Sequence, residues 1–127
     1  MAKEKARKRI RQRVANANIY IKSGFNNTLL TVTTEEGKVL ARSSAGGCGF
    51  KGTKKSTPYA AQVAAEKLVE KVVPYGIEKI DVYVKGVGPG REQSIRGLVS
   101  GDFKIGRIMD ITPIPHNGCR KKRPRRV

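Results

Sequence analysis

Apolar and polar residues alternate in five short stretches of this chain, and the alternation predicts five β-strands. The stretches cover residues 18–24, 30–33, 38–44, 80–84 and 103–112. Successive side chains of a strand point to opposite faces of the sheet, so this period of two is typical of a sheet with one buried face. In the first stretch Ile19 and Ile21 are expected in the core, with Tyr20 and Lys22 on the opposite face.

A three- and four-residue spacing of apolar positions predicts a helix over residues 59–73. The apolar stripe consists of Ala61, Ala64, Ala65, Leu68 and Val72. Ser56 and Thr57 are N-cap candidates, because a hydroxyl oxygen can accept a hydrogen bond from a free N–H of the first turn, and Pro58 suits the first helical position. Pro74 lacks the N–H that a helix interior needs, so the helix should stop or kink there, and Gly76 completes the exit.

A second, shorter helix is predicted from Arg91 to about residue 99, with Ile95, Leu98 and Val99 buried and Gly101 at its end. The first three strands form a meander, with Gly37 at the left-handed position of a hairpin. A helix, a strand, a helix and a strand follow. We therefore expect a single α/β domain in which a mixed five-stranded sheet packs with two main helices. The crossover between the last two strands is right-handed if they are parallel neighbours.

The chain of 127 residues has the length of one ordinary domain, and its formal net charge is +17. Residues 1–13 hold seven basic residues and one glutamate, and residues 114–127 hold six basic residues and no acidic one, so each end has a net charge of +6. The chain thus divides into a basic N-terminal arm (residues 1–15), an α/β body (16–112) and a basic C-terminal tail (113–127). Blocks of like charge repel each other, so we expect both extensions to become ordered on a polyanion.

Cysteine usage and hydropathy narrow the cellular setting. Cys48 and Cys119 are far apart and lack metal-ligand spacing, which favours free thiols in a reducing compartment. No apolar run is long enough to span a membrane, and no secretory segment is evident. We expect a soluble intracellular protein without a metal or cofactor.

Residues 45–62 combine features of a phosphate-binding loop. Four glycines allow tight turns and close approach to the backbone: Gly46, Gly47, Gly49 and Gly52. Three lysines add positive charge: Lys51, Lys54 and Lys55. The loop leads into a helix start, whose unpaired N–H groups and positive dipole end favour an anion. A second glycine loop, residues 86–90, is followed by Arg91, which favours a further phosphate contact over an ordinary helix-capping loop.

Two enzymatic interpretations are disfavoured by spacing. Gly47 to Gly52 match G-x-G-x-x-G, but a dinucleotide-binding loop opens directly into its helix and needs an acidic residue at the end of the next strand. Here further residues precede Pro58, and the following acidic residues fall inside the helix. A nucleophile–base pair would have to use Cys119 and the single histidine, His116, in a tail without pocket-forming sequence. We therefore expect no catalytic activity.

The tail favours RNA as the polyanion. Its prolines stiffen the segment, His116 and Asn117 can hydrogen-bond or stack on bases, and the following basic residues can pair with phosphates. Duplex DNA fits less well, because no helix with the character of a recognition helix carries the charge. A free-standing nucleoid protein or RNA chaperone remains the competing class. Because Gly118 leaves the side chain of Asn117 unhindered, we also hypothesise an isoaspartate link at Asn117.

Four motifs together resemble the bacterial-type ribosomal protein S11 family. They are AGGCGFKGTKKSTPYAAQVAAEK, VKGVGPGRE, ITPIPHNGCR ahead of the basic end, and FNNT at residues 25–28. The resemblance covers roughly residues 17–127 and implies an α/β fold with a mixed five-stranded sheet. It also implies a structural role on the platform of the small ribosomal subunit, bridging helices of 16S-type rRNA beside the cleft through which messenger RNA leaves. Implied neighbours are ribosomal proteins S7 and S18, other platform proteins and initiation factor 3, in a cytoplasmic or organellar ribosome.

The residues predicted to contact RNA follow from these motifs and from the charge. In the arm and the first turn they are Lys3, Lys5, Arg7, Lys8, Arg9, Arg11, Arg13, Asn26 and Asn27. In the two glycine loops they are Gly49, Lys51, Gly52, Lys54, Lys55, Ser56, Gly88, Gly90 and Arg91. In the tail they are His116, Asn117, Arg120, Lys121, Lys122, Arg123, Arg125 and Arg126.

Overall fold

The computed structural model describes residues 13–101 and 103–127, which contain a five-stranded sheet and two α-helices. The strands are β1 (Asn16–Ser23), β2 (Thr28–Thr34), β3 (Val39–Ser44), β4 (Lys79–Lys85) and β5 (Lys104–Asp110). The helices are α1 (Pro58–Val72) and α2 (Arg91–Val99). The predicted α/β class and the order of elements are confirmed, with strand ends one or two residues from the expected positions.

The strand order is β3-β2-β1-β4-β5. β2 runs antiparallel to β1 and β3, whereas β4 runs parallel to β1 and β5, so the sheet is mixed and the first three strands form the expected meander. As a consequence, the carboxyl ends of β1, β3, β4 and β5 lie together at one end of the sheet. We call this the loop end, and the opposite end, where β1 begins, the arm end.

The core lies between one face of the sheet and the two helices. Alternate strand residues point into it, among them Ile19, Ile21, Leu30, Val32, Ile80, Val82 and Val84. All five apolar positions predicted for α1 are buried, as is Ala60. Because most of them are alanines, α1 lies close to the sheet and to α2.

The predicted limits of α1 are confirmed. Thr57 is the N-cap, and its hydroxyl oxygen accepts a hydrogen bond from the N–H of Ala60 at 3.3 Å. Pro58 occupies the first helical position. The α-helix ends at Val72, a 3₁₀ turn (Val73–Tyr75) follows, and Gly76 leaves it with φ at 63°. That left-handed angle is one that glycine adopts without strain.

The buried face of α2 differs from the prediction. Val99 was expected in the core, but it is 60% exposed, and Ser94 and Gly97 are buried beside Leu98. A Cβ at position 97 would lie 2.6 Å from the Cβ of Ala65, so Gly97 is the point where α2 touches α1. Contact through this glycine turns α2 about its axis, and Val99 faces outward.

The outer edge of β3 is covered by side chains. The Lys71 ammonium donates to the carbonyl oxygen of Arg42 at 2.9 Å, and the Tyr75 hydroxyl donates to that of Leu40 at 3.2 Å. Backbone groups on an edge strand otherwise remain free to pair with another chain. Both donors come from α1 or the turn that follows it, so the helix closes this edge of the sheet.

Candidate nucleic-acid interface

Three loops predicted to bind RNA converge at the loop end and are joined by hydrogen bonds. They are the first turn (residues 24–27), the glycine–lysine loop (residues 45–57) and the second glycine loop (residues 86–90). Asn27 joins the first two, because its Oδ1 accepts from the backbone N–H of Thr28 at 2.9 Å and from that of Gly46 at 3.4 Å. The N–H of Gly88 donates to the carbonyl oxygen of Ser23 at 3.1 Å and joins the third loop to the first.

The glycine–lysine loop contains two 3₁₀ turns, Gly46–Cys48 and Gly52–Ser56. Gly49 and Gly52 have φ angles of 94° and 60°, and no atom lies within 4 Å of a Cβ built at either position. Glycine is therefore favoured there by backbone angle rather than by crowding within the protein. The second turn also separates the G-x-G-x-x-G motif from α1, in agreement with the exclusion of a dinucleotide loop.

The charged side chains of this loop face outward. Lys51 and Lys54 are exposed, and Lys55 is half-buried, with its Cδ against Gly46. Ser56 donates its hydroxyl hydrogen to the carbonyl oxygen of Thr53 at 2.9 Å. No carboxylate occurs between Glu36 and Glu66, so no acidic residue of this segment offsets the positive charge of the three ammonium groups. Such positive charge attracts phosphates.

The second glycine loop is packed against the body. Gly88 and Gly90 are buried. A Cβ on Gly88 would meet the carbonyl oxygen of Gly24, and a Cβ on Gly90 would lie 2.6 Å from the Cβ of Ala61. This crowding explains both glycines without a phosphate, so contact between them and RNA remains a prediction.

Arg91, at the start of α2, is held by two internal contacts. Its guanidinium donates to the carbonyl oxygen of Gly86 at 3.0 Å and to Oδ2 of Asp110 at 2.6 Å. Arginine has five N–H donors, so others remain for a phosphate. Hydrogen bonds from the Thr112 hydroxyl and from Arg91 hold the pKa of Asp110 well below its usual range. The contacts fix the second glycine loop against the end of β5.

The tail leaves the body at the same end. The N–H of Ile111 donates to the carbonyl oxygen of Val84 at 2.8 Å, and the N–H of Gly86 donates to the Thr112 hydroxyl at 3.1 Å. Beyond this point every residue of the tail is exposed. Asn117 has a φ of 56°, the one positive value for a non-glycine residue in the described ranges. The tail residues predicted to contact RNA are therefore free of the body's core.

The arm begins at the opposite end of the body. Arg13 is exposed, and its side chain lies beside Gly76, where α1 has ended. The other predicted arm residues lie outside the described residues: Lys3, Lys5, Arg7, Lys8, Arg9 and Arg11. The structure therefore separates Arg13 from the loop end by the length of β1. Asn26, in the first turn, is exposed at the loop end.

Sequence reasoning missed the partners of Arg91 and the aromatic pair on the sheet. Asp110 and Thr112 reach Arg91 only because β5 lies beside β4, a pairing that local patterns do not specify. Tyr20 and Tyr83 stack with ring centroids 5.1 Å apart. Alternation along the chain assigns a ring to one face of its own strand, whereas the parallel pairing of β1 with β4 brings the two rings together.

The described residues show no sign of a disulfide, a metal site or a membrane span. Both cysteines are free, as expected, with Cys48 half-buried and Cys119 exposed. Among residues 13–101 and 103–127, no three His, Cys, Asp or Glu side chains group closely enough to hold a metal ion. Within the same residues, neither helix has the length and apolar character needed to cross a lipid bilayer.

Comparison with known proteins adds one match. The family model described as ribosomal protein S11 matches residues 17–126. The matched region contains nearly all of the sheet, both helices, the three loops of the loop end and all but the last residue of the tail.

Proposed function

The chain belongs to the ribosomal protein S11 family, whose members are structural, non-catalytic proteins of the small ribosomal subunit that bind rRNA, and we propose that this one bridges separate rRNA helices on the platform. In this proposal the protein borders the cleft through which messenger RNA leaves. Its neighbours are ribosomal proteins S7 and S18 and other platform proteins, with initiation factor 3 nearby. It works in the ribosome of the cytoplasm and supports assembly of the subunit.

The convergence of the three loops and the tail at one end of the sheet is the observation that carries this proposal. Lys51, Lys54 and Lys55 neutralise phosphates of one rRNA segment, and Arg91 adds a planar donor that is already held in place. A phosphate can approach the backbone at Gly49 and Gly52 closely, because no protein atom lies within 4 Å of a Cβ built at either position.

The tail extends this contact beyond the body. Its segment from His116 to Arg126 is exposed and basic, and it threads between RNA helices that a folded element could not enter. His116 and Asn117 contact bases, while the six arginine and lysine side chains that follow pair with phosphates.

Bridging follows from the separation of the two extensions. The tail leaves at the loop end, and Arg13 lies at the arm end. The eight residues of β1 span roughly 26 Å at about 3.3 Å per residue. Arg13 and the tail, at opposite ends of a body of this length, engage two different rRNA segments, which the α/β body holds at a set distance.

Sedimentation of the full-length protein with ribosomal subunits tests the proposal. We expect it to migrate with the small subunit, and crosslinks from Lys51, Lys54 and the tail should map to at least two separate rRNA helices. The control replaces Glu35 and Glu36 of the hairpin with glutamine, a surface change away from the loop end, and should migrate unchanged. A protein that stays at the top of the gradient would instead be a free RNA chaperone or nucleoid protein.

A further inference from the structure

The two helices leave one face of the sheet uncovered. Both α1 and α2 pack on the face that carries Ile19 and Val82, and in the described part of the chain no helix lies on the other face. The strand register lines up the residues of this open face in rows across the sheet. One row runs through Arg42, Thr31, Tyr20, Tyr83 and Met109.

An aromatic pair occupies the middle of this face. The rings of Tyr20 and Tyr83 are stacked, with centroids 5.1 Å apart and planes inclined by 16°. Tyr20 is 38% exposed. Its register partner on the far side from Tyr83 is Thr31, whose side chain is small and polar. The side of Tyr20 away from Tyr83 is therefore bordered by a small polar residue instead of a second large one, and the stacked pair is a rigid platform on which a flat group can stack.

Positive charge surrounds the pair. Lys22 and Lys85 occupy the next outward positions of β1 and β4 and are paired in register. The basic residues on the outward positions of the five strands are Lys22, Arg42, Lys79, Lys85, Lys104 and Arg107. The single carboxylate among those positions is Asp81, which lies 4.0 Å from Arg107. The face therefore has a net positive charge, and its cations flank an exposed aromatic ring.

We propose that this open face binds a single-stranded segment of RNA, with a base stacked on Tyr20 and neighbouring phosphates paired with Lys22 and Lys85. The inference rests on the proposed function, because the RNA that the open face binds is the rRNA. It gives the protein a second RNA-contact surface besides the loop end. Aromatic stacking combined with a cationic track is the chemistry by which proteins hold unpaired nucleotides. A protein partner is disfavoured, because the centres of protein interfaces are depleted in lysine.

Binding of octauridylate to the full-length protein tests the stacking contact. We compare Tyr20→Leu, which removes the ring, with Tyr20→Phe, which keeps it and loses only the hydroxyl. Loss of a stacked aromatic weakens binding about 5-fold or more, so the leucine variant should weaken and the phenylalanine variant should not. Thermal unfolding of both variants checks that the sheet is intact.

A charge-matched comparison tests the phosphate contacts. Lys22→Gln with Lys85→Gln should weaken octauridylate binding more than Lys38→Gln with Lys67→Gln. The second pair loses the same charge from the hairpin and from α1, away from the open face. Equal weakening by the two pairs would contradict a site on this face. This comparison still decides the proposal if the leucine variant fails to fold.

Nitration of tyrosine in the assembled subunit separates this inference from the proposed function. Tyr20 should react with tetranitromethane in the free protein and be protected in the small subunit. If the protein migrates with the subunit and Tyr20 reacts as before, the open face is not an RNA surface, although the proposed function holds. If Tyr20 is protected but Tyr20→Leu binds octauridylate as well as Tyr20→Phe, another protein covers the face, and the inference is overturned.

Discussion

Gly90 is closely packed at the loop end. It is the last residue of the second glycine loop, and an added Cβ there would be 2.5 Å from the Thr28 hydroxyl oxygen and 2.6 Å from the Cβ of Ala61. Gly24, in the first turn, also lies at the loop end, but the nearest atom to its added Cβ is the carbonyl oxygen of Asn27 at 3.7 Å. A methyl group therefore fits beside Gly24 but not beside Gly90, although both glycines lie at the loop end.

The first prediction compares these two glycines. Gly90→Ala should lower the free energy of unfolding by about 1–3 kcal/mol, the usual cost of overpacking, since neither Thr28 nor Ala61 can move freely. Gly24→Ala should change it by less than about 0.5 kcal/mol, as for an ordinary surface substitution. Denaturant unfolding of both variants measures the difference. Equal stability of the two variants would show that the loop end is not packed as described.

The second prediction concerns Asp110, whose pKa is lowered from 3.8 by hydrogen bonds from Thr112 and Arg91. A lowered pKa stabilises the folded state above the ordinary value, and the stabilisation is lost as the pH falls below it. Asp110→Asn should therefore be slightly less stable than the natural chain at neutral pH. The difference in melting temperature between the two proteins should become smaller below about pH 4. Melting temperatures measured from pH 7 to pH 2 provide the check. A difference that is constant with pH would exclude a role for the charge.

The third prediction is that Asn117 forms an isoaspartate link. Glycine follows this residue, and the left-handed φ of 56° places it in an exposed bend of the tail. Peptide mapping of aged protein should find a fraction of isoaspartate at Asn117. Gly118→Val should slow its formation, because a branched side chain hinders attack by the backbone nitrogen. Mapping that finds only asparagine after prolonged ageing would reject the hypothesis.

Among the elements, the tail and the body have separate roles. In the described chain, the hydrogen bonds that join the chain end to the body stop at Thr112. The buried core contains no residue of the tail. Removal of the tail should therefore affect RNA binding and leave folding unchanged.

The fourth prediction tests that separation by deleting residues 114–127. The shortened protein should unfold cooperatively at nearly the same temperature as the full chain, because no core contact is lost. It should compete poorly with the full chain for incorporation into small subunits, because six of the basic residues are gone. The Glu35→Gln, Glu36→Gln variant described above serves as the full-length control. A broad, non-cooperative transition would show that the tail is part of the fold.

Element limits were predictable where local chemistry sets them. Thr57, Pro58, Pro74 and Gly76 mark the start and end of α1 by their own conformational preferences, and the structure agrees. The exposed face of α2 was not predictable in this way. The position of Val99 depends on the contact between Gly97 and Ala65, which lie far apart in sequence. The convergence of the loops likewise depends on β1 pairing with β4, which no local pattern specifies.

Across the whole molecule, charge is concentrated at the two ends of the chain, and the structure places what it describes of these ends on opposite sides of the body. The glycine–lysine loop adds a third positive region beside the tail. The net charge of +17 is therefore distributed over several separate regions instead of one patch.

The fifth prediction follows from that distribution. If six to ten phosphates are neutralised, affinity for a platform fragment of the rRNA should fall by about 10³- to 10⁵-fold between 50 and 200 mM salt. Filter binding at a series of salt concentrations gives the slope. Lys51→Gln with Lys54→Gln should make the slope shallower by about two counterions, and Lys38→Gln, away from the loop end, should not. A nearly flat response would contradict phosphate contact as the basis of binding.

The covered edge of β3 has a consequence for the time before assembly. A ribosomal protein exists free in the cell until an RNA partner is ready, and during that interval two molecules could join their sheets edge to edge. Lys71 and Tyr75 already occupy the carbonyl oxygens of Arg42 and Leu40 that such a union would use. Pairing through the β3 edge is thus obstructed by the chain's own helix and the turn that follows it.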